Sequence, residues 1–231
     1  RDLSTLLRWA IWRLRAAEEA LHTGLRLVRD HPGLRGEADM HVGLAEILLE
    51  RNELDRAREE LATSERLGER AGLPQHAYRW RLVTARLRQA EGDVAAAAAL
   101  LAEAGRHYNT DYSPAVRPIA AFEARLHIAQ GDLAAALGWA ERSGRAVDDE
   151  LSYVAEFEHV TLARALVALE VRERSDRGAS GLLDRLLAAA AAGGRVGIEV
   201  ECLALSAVAR QAADDRPGAI EAVGRALELA A

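Results

Sequence analysis

One polar turn, followed each time by alanine, is written four times at intervals that fit a single structural unit. AQGDLAAAL at 129–137 has near copies in AEGDVAAAA at 90–98, ERNELDRAR at 50–58 and AADDRPGAI at 212–220. The alanines after the turns, Ala57, Ala97, Ala136, Ala179 and Ala219, are spaced by 40, 39, 43 and 40 residues. Twelve residues upstream of four of them stand Ala45, Ala85, Ala124 and Ala207. A period of this length signals stacked supersecondary units that cannot bury their apolar faces alone. The unit read here is a helix, a tight turn and a second helix, with a small residue where the two approach closely.

The turn residues suit that reading. Gly92, Gly131 and Asn52 can adopt the left-handed conformation that ends a helix. Asp93, Asp132 and Glu53 follow and offer a carboxylate to the free N–H groups of the next helix. Pro217 stands where a first-turn proline is tolerated. The pattern predicts helices over 3–30, 36–50, 54–70, 74–90, 94–107, 115–129, 133–144, 150–171, 179–192, 197–212 and 217–230. Two stretches rich in turn residues, 105–118 and 171–181, interrupt the regularity. Neither has the length or polarity of an interdomain linker, so residues 1–231 are expected to form one domain: an N-terminal helix or partial repeat over 1–35 and repeats over 36–231. The expected fold is all-α, a superhelical solenoid of about five antiparallel helix pairs.

Composition narrows the function. Half of the residues are hydrophobic and β-branched residues are few, as in a helical protein. The net charge of −6 argues against a nucleic-acid surface over the whole chain, which needs clustered positive charge. All 30 basic residues counted as Lys+Arg are arginine. The lysine-dependent phosphate loop, Schiff-base chemistry and the S-x-x-K acylation pair are therefore absent. One cysteine, Cys202, gives no intrachain disulfide framework and suits a reducing compartment, so a cytoplasmic protein is expected. No apolar run is long enough to span a membrane and the N-terminus lacks a signal-peptide pattern, so no membrane partner is expected.

The spacing resembles tetratricopeptide repeats of stretched period. A closer likeness lies in RLHIAQGDLAAALGWAERSG (125–144) followed by DDELSYVAEFEHVTLARALVA (148–168). Together they resemble the C-terminal helical-repeat sensor domain of the large ATP-binding LuxR-type transcription regulators, the MalT-like class, over about 36–231. That resemblance implies a region that senses an inducer or a partner protein, set between a nucleotide-binding domain and a DNA-binding helix-turn-helix. Neither flanking domain is recognisable here and the chain begins with Arg1, so it is expected to be the sensor module alone. Nucleotide and DNA would then be met only through domains outside it, and no cofactor is expected within it. The other reading is a freestanding adaptor for protein-protein interaction. Both are non-enzymatic.

The histidines include no H-E-x-x-H and no pair at i, i+4, so neither a metal site nor a catalytic site is expected. Glu158 and His159 are read as a solvated helix surface, the acidic run 148–150 as a helix cap, and Cys202 as a buried, inert thiol. Two sets of residues remain. Arg86, Arg125 and Arg164 follow the close-packing positions Ala85, Ala124 and Ala163 at 39-residue spacing, with Arg79 two turns before Arg86. Aligned on successive first helices, they form a candidate groove for a small anionic effector or an acidic partner segment, unless Glu123, Glu156, Glu158 or Glu201 neutralises them. Trp9 and Trp12, three apart beside Leu6 and Leu7, form a candidate docking face for a neighbouring domain or a second copy, or pack on residues 36–50.

Overall fold

In the computed structural model, which describes residues 14–31, 35–108 and 116–230, every regular element is helical. Among the described residues there are eleven α-helices. They are α1 (Leu14–Asp30), α2 (Glu37–Glu50), α3 (Leu54–Leu67), α4 (His76–Ala90), α5 (Val94–His107), α6 (Ile119–Ala129), α7 (Leu133–Ser143), α8 (Glu156–Glu173), α9 (Ala179–Ala192), α10 (Val196–Ala212) and α11 (Arg216–Ala230). After α1 they run as five consecutive pairs. The chain divides into two compact units, 1–113 and 114–231, with the boundary in the irregular stretch 105–118. No helix among the described residues is long and apolar enough to cross a membrane.

The turn that repeats in the sequence repeats in the backbone. Asn52, Gly92, Gly131 and Asp214 have φ of 59°, 84°, 77° and 61°, and Gly194 joins them at 64° between α9 and α10. At each of these turns the residue after the left-handed one donates its N–H to the carbonyl five residues back. Glu53 reaches Leu48, Asp93 reaches Arg88, Asp132 reaches His127, Arg195 reaches Ala190 and Asp215 reaches Arg210, all at 2.8–2.9 Å. This is the Schellman arrangement, which satisfies carbonyls a helix end would otherwise leave open. In three turns the same residue also starts the next helix. Asp93 accepts from Ala96 N at 3.0 Å, Asp132 from Ala135 N at 3.1 Å and Asp215 from Gly218 N at 3.0 Å. Glu53 does not cap: its longer side chain turns aside to Arg56.

Five residues after each left-handed residue of the within-pair turns comes the alanine of the sequence repeat. Ala57, Ala97, Ala136 and Ala219 are buried, and Ala179 stands at the same distance from Arg174, which is left-handed at φ 55°. Ala45, Ala85, Ala124 and Ala207 are buried as well. In unit 1–113, α2 packs on α3 and on α4, and α4 on α5. Val42, Ala45 and Leu48 meet Ala57, Leu61, Val83 and Leu87, and Trp80 closes the cluster with its indole N–H on the Leu61 carbonyl at 3.1 Å. In unit 114–231, α8 packs on α6, α7, α9 and α10, and ten of its eighteen residues are buried.

Three boundaries depart from the sequence pattern by three residues or more, and one of them is the helix expected from 115, which begins at Ile119 after Pro118. The helix expected from 54 to 70 stops at Leu67 because Gly68, at φ 70°, ends it and a short 3-10 turn follows. The helix expected from 150 begins at Glu156, so the acidic run 148–150 caps nothing. Asp149 instead accepts from the Ala146 N–H at 3.0 Å within its own loop and lies 3.1 Å from His159 Nε2.

A β-carbon at Gly131 would meet nothing within 4 Å, so a substitution there tests the backbone conformation alone. Gly131→Val is expected to lower the unfolding free energy by about 1–2 kcal/mol, the cost of a left-handed L-residue, in urea titration. Gly131→Asn, copying Asn52, is expected to lose markedly less.

Candidate functional site

The four arginines lie on first helices of pairs, Arg79 and Arg86 on α4, Arg125 on α6 and Arg164 on α8. Each meets a carboxylate. Arg79 Nη1 is 3.1 Å from Oδ1 of the buried Asp39, whose Oδ2 accepts from Leu73 N at 2.7 Å. Arg79 is thus part of a brace that holds the 68–75 connection against α2. Arg86 Nη2 is 2.6 Å from Glu50 Oε1 and its Nη1 is 3.6 Å from Glu46.

In unit 114–231 the structure brings two of the arginines together. Arg125 Nη1 and Arg164 Nη2 converge on Glu201: both lie near Oε1, at 3.1 and 2.7 Å, and Arg125 donates its hydrogen bond to Oε2 at 3.5 Å. Arg125 Nε also donates to Thr161 Oγ1 at 2.8 Å, and its guanidinium lies 4.0 Å above the Phe157 ring. The Arg117 guanidinium is 5.6 Å from the same ring. Thr161 donates its own hydroxyl proton to the Phe157 carbonyl at 2.8 Å, which leaves its oxygen free to accept from Arg125.

Burial pulls the Arg125 guanidinium down to about 10, assisted by the charges of Arg164 and Arg117 and opposed by Glu201. Burial acts to raise Glu201, but the two arginines outweigh it and hold the carboxyl below its ordinary value. At neutral pH Arg125 is therefore cationic and Glu201 anionic, and two guanidinium groups against one carboxylate give the cluster an excess positive charge. Such a constellation can orient an oxyanion; it offers no nucleophile and no general base.

Of the acidic residues considered as neutralisers, Glu201 pairs with the expected arginines. Glu156 serves Arg195 at 2.6 Å and Glu158 serves Arg145 at 2.9 Å. Thr161 and Phe157 escape a reading of the sequence because they lie three and seven residues before Arg164, and only the packing of α6 on α8 presents them to Arg125. Trp9 and Trp12 lie outside the described residues.

His159 is not on a solvated surface. It is fully buried, with Nδ1 3.1 Å from the Ala155 carbonyl and Nε2 facing Asp149. The Ala146 amide and His159 together hold Asp149 below the usual carboxylate range. Arg185 of α9 donates to the carbonyls of Val147 and Asp149 and ties the same loop from the other side. Cys202 is buried, and desolvation pushes its thiol up to about 12, too high for a nucleophile. Among the described residues no group of three or more His, Cys, Asp or Glu side chains could hold a metal.

A second polar cluster lies in unit 1–113. Ser64 donates to the Ala38 carbonyl at 2.9 Å and accepts from His76 Nε2 at 2.9 Å. The pair has the outward form of nucleophile and base, but Ser64 is wholly buried with its proton on a main-chain carbonyl. His76 has no partner at Nδ1, and desolvation lowers its pKa below 6.5. Gly72 is needed beside it, since a β-carbon there would stand 2.5 Å from His76 Cβ.

Antiparallel helix pairs joined by left-handed turns, with alanine at the contacts and first helices stacked on first helices, define a helical-repeat protein of the tetratricopeptide type. The chain belongs to the MalT-like TPR region family, whose model matches residues 7–231. No curated protein and no solved structure is significantly similar to it.

Two outcomes follow from the braces of unit 1–113. Asp39→Ala is expected to cost about 2–4 kcal/mol in urea titration, since it strands Arg79 and the Leu73 amide; the range lies below that of a wholly buried pair because Arg79 is a quarter exposed. His76 takes up its proton more readily unfolded than folded. Its contribution to stability is therefore complete above pH 6.5 and is lost as pH falls from there toward its lower folded value. Denaturation at a series of pH values between about 5 and 8 is expected to show that loss in the native sequence and a shallower one in His76→Asn.

Proposed function

We propose that this chain is the sensing repeat region of a cytoplasmic transcription regulator of the MalT-like, LuxR-type class. In this reading residues 1–231 act as one repeat domain, and the family match, which runs across the boundary between the two compact units, supports treating them together. The region does no chemistry of its own. It recognises a small anionic effector or an acidic segment of a partner protein, and passes the event to nucleotide- and DNA-binding domains elsewhere in the same polypeptide.

The observation that carries the reading is the match to the MalT-like TPR region over residues 7–231. Arg125 on α6 and Arg164 on α8 add to it, since two guanidinium groups share one carboxylate there and provide charge for recognising an anion. The competing role, a freestanding adaptor, needs the same helices but no attached domains.

The test is the reading frame itself. Extended through both ends of this segment, it is expected to encode a nucleotide-binding domain before it and a helix-turn-helix after it, and an in-frame deletion of residues 119–230 is expected to abolish inducer-dependent transcription from a reporter. A frame that encodes neither domain would support the adaptor.

A further inference from the structure

The meeting of α6, α8 and α10 holds more hydrogen-bond donors than it satisfies. Arg125 spends Nε on Thr161 and Nη1 on Glu201, while its Nη2 is buried with no acceptor. Arg164 spends Nη2 on Glu201 Oε1, whereas the Arg125 hydrogen bond goes to Oε2, and the Arg164 Nε is likewise buried with no acceptor. Two guanidinium groups thus share one carboxylate, and each retains an unmade bond. Buried polar groups are rarely left so, and each such group calls for an explanation. We propose that Arg125 and Arg164 form a binding site for a small oxyanion, the carboxylate or phosphate group of an effector or partner, which uses the donors that Glu201 leaves open.

The geometry favours a ligand over a purely internal ion pair in three ways. Phe157 lies against the face of Arg125, and Thr161 fixes its Nε, so the guanidinium is held in one orientation before any ligand arrives. Arg164, whose side chain is 37% exposed, connects the cluster to solvent. The excess positive charge is the feature an anion removes: the depression of Arg125 through burial and its cationic neighbours is relieved by a second negative group. Glu201 then acts as an internal occupant whose charge opposes the incoming anion, while Thr161 and Phe157 hold Arg125 in place without it. The planar fork of arginine matches carboxylate and phosphate oxygens alike, so either headgroup fits.

The inference rests on the sensing role above for its biological meaning, and the site itself is tested without it. The chain 1–231 is titrated with glutarate or with inorganic phosphate at ionic strength held constant with chloride. Binding is followed by calorimetry and by the arginine Nε–Hε resonances. Saturable binding that shifts the Arg164 Hε signal is expected. Arg164→Gln is expected to weaken it roughly tenfold or more, as for loss of a charge-assisted contact. Glu201→Gln is expected to tighten it roughly tenfold by removing the competing carboxylate. Arg164 is the variant of choice because it is the more exposed arginine, and the Hε signal reports on the native chain with no substitution at all. Tighter binding of glutarate assigns a carboxylate ligand, and tighter binding of phosphate a phosphorylated one. The proposal is overturned by a linear, unsaturable response, by equal affinities in the native chain and Arg164→Gln, or by weaker binding in Glu201→Gln. Any of these leaves the regulator reading to its own test in the reading frame.

Discussion

The structure depends on a main-chain hydrogen bond that closes over a left-handed residue. Five turns place one residue at positive φ and send the next residue's N–H back to a carbonyl in the last turn of the preceding helix. Asp93, Asp132 and Asp215 then start the following helix with their own side chains, so one residue ends one helix and begins another. With only three residues between helices, local geometry constrains their relative angle. In four of the five the residue five positions on is a buried alanine, where that angle leaves room for a methyl group and little more. Packing follows from the turn in this fold, and burial of Leu48, Leu61, Val83 and Leu87 follows from the packing.

Much of this was open to inspection in the sequence because its causes are local. A glycine or asparagine that must be left-handed, an aspartate one residue later and an alanine at fixed distance are read from neighbours in the chain. Arg174, Asp214 and Gly194 show the limit of such reading, since the same conformation occurs at an arginine, at an aspartate and in a turn outside the repeated phrase. What remained hidden depends on residues far apart. The run 148–150 has the composition of a helix cap, yet His159 and Arg185 draw the loop away and the helix starts later. Glu53 has the charge of a cap but one methylene more than aspartate, and it pairs with Arg56. The arginine spacing could be counted from the sequence; that Arg125 and Arg164 share Glu201, while Arg79 is committed to Asp39, could not.

The arginines also show why equal spacing does not give equal roles. Arg86 reaches back to α2 and finds Glu50 in the preceding pair, whereas Arg164 reaches forward to α10 and finds Glu201 in the next. Glu201 therefore has two claimants. A surface ion pair of the first kind contributes little to stability, because water screens it and two long side chains must be ordered. The second arrangement is partly removed from water, so its unequal count of charges matters more.

The meeting of α6, α8 and α10 has a different consequence, one for cooperativity. In an idealised repeat array each unit touches only its neighbours, and stability is a sum of local terms that allows an end to fray without disturbing the rest. The Arg125–Glu201 contact departs from that scheme within unit 114–231, because it joins α6 to α10 across the intervening pair, whereas α8 packs on its own partner and on the pairs either side. Fraying that enters from α11 can proceed through α10 and α9, but α6 and α7 lose their main apolar support once α8 lets go. Separating α10 from α8 therefore also breaks a contact that reaches α6, which couples the opening of successive pairs in this half of the chain.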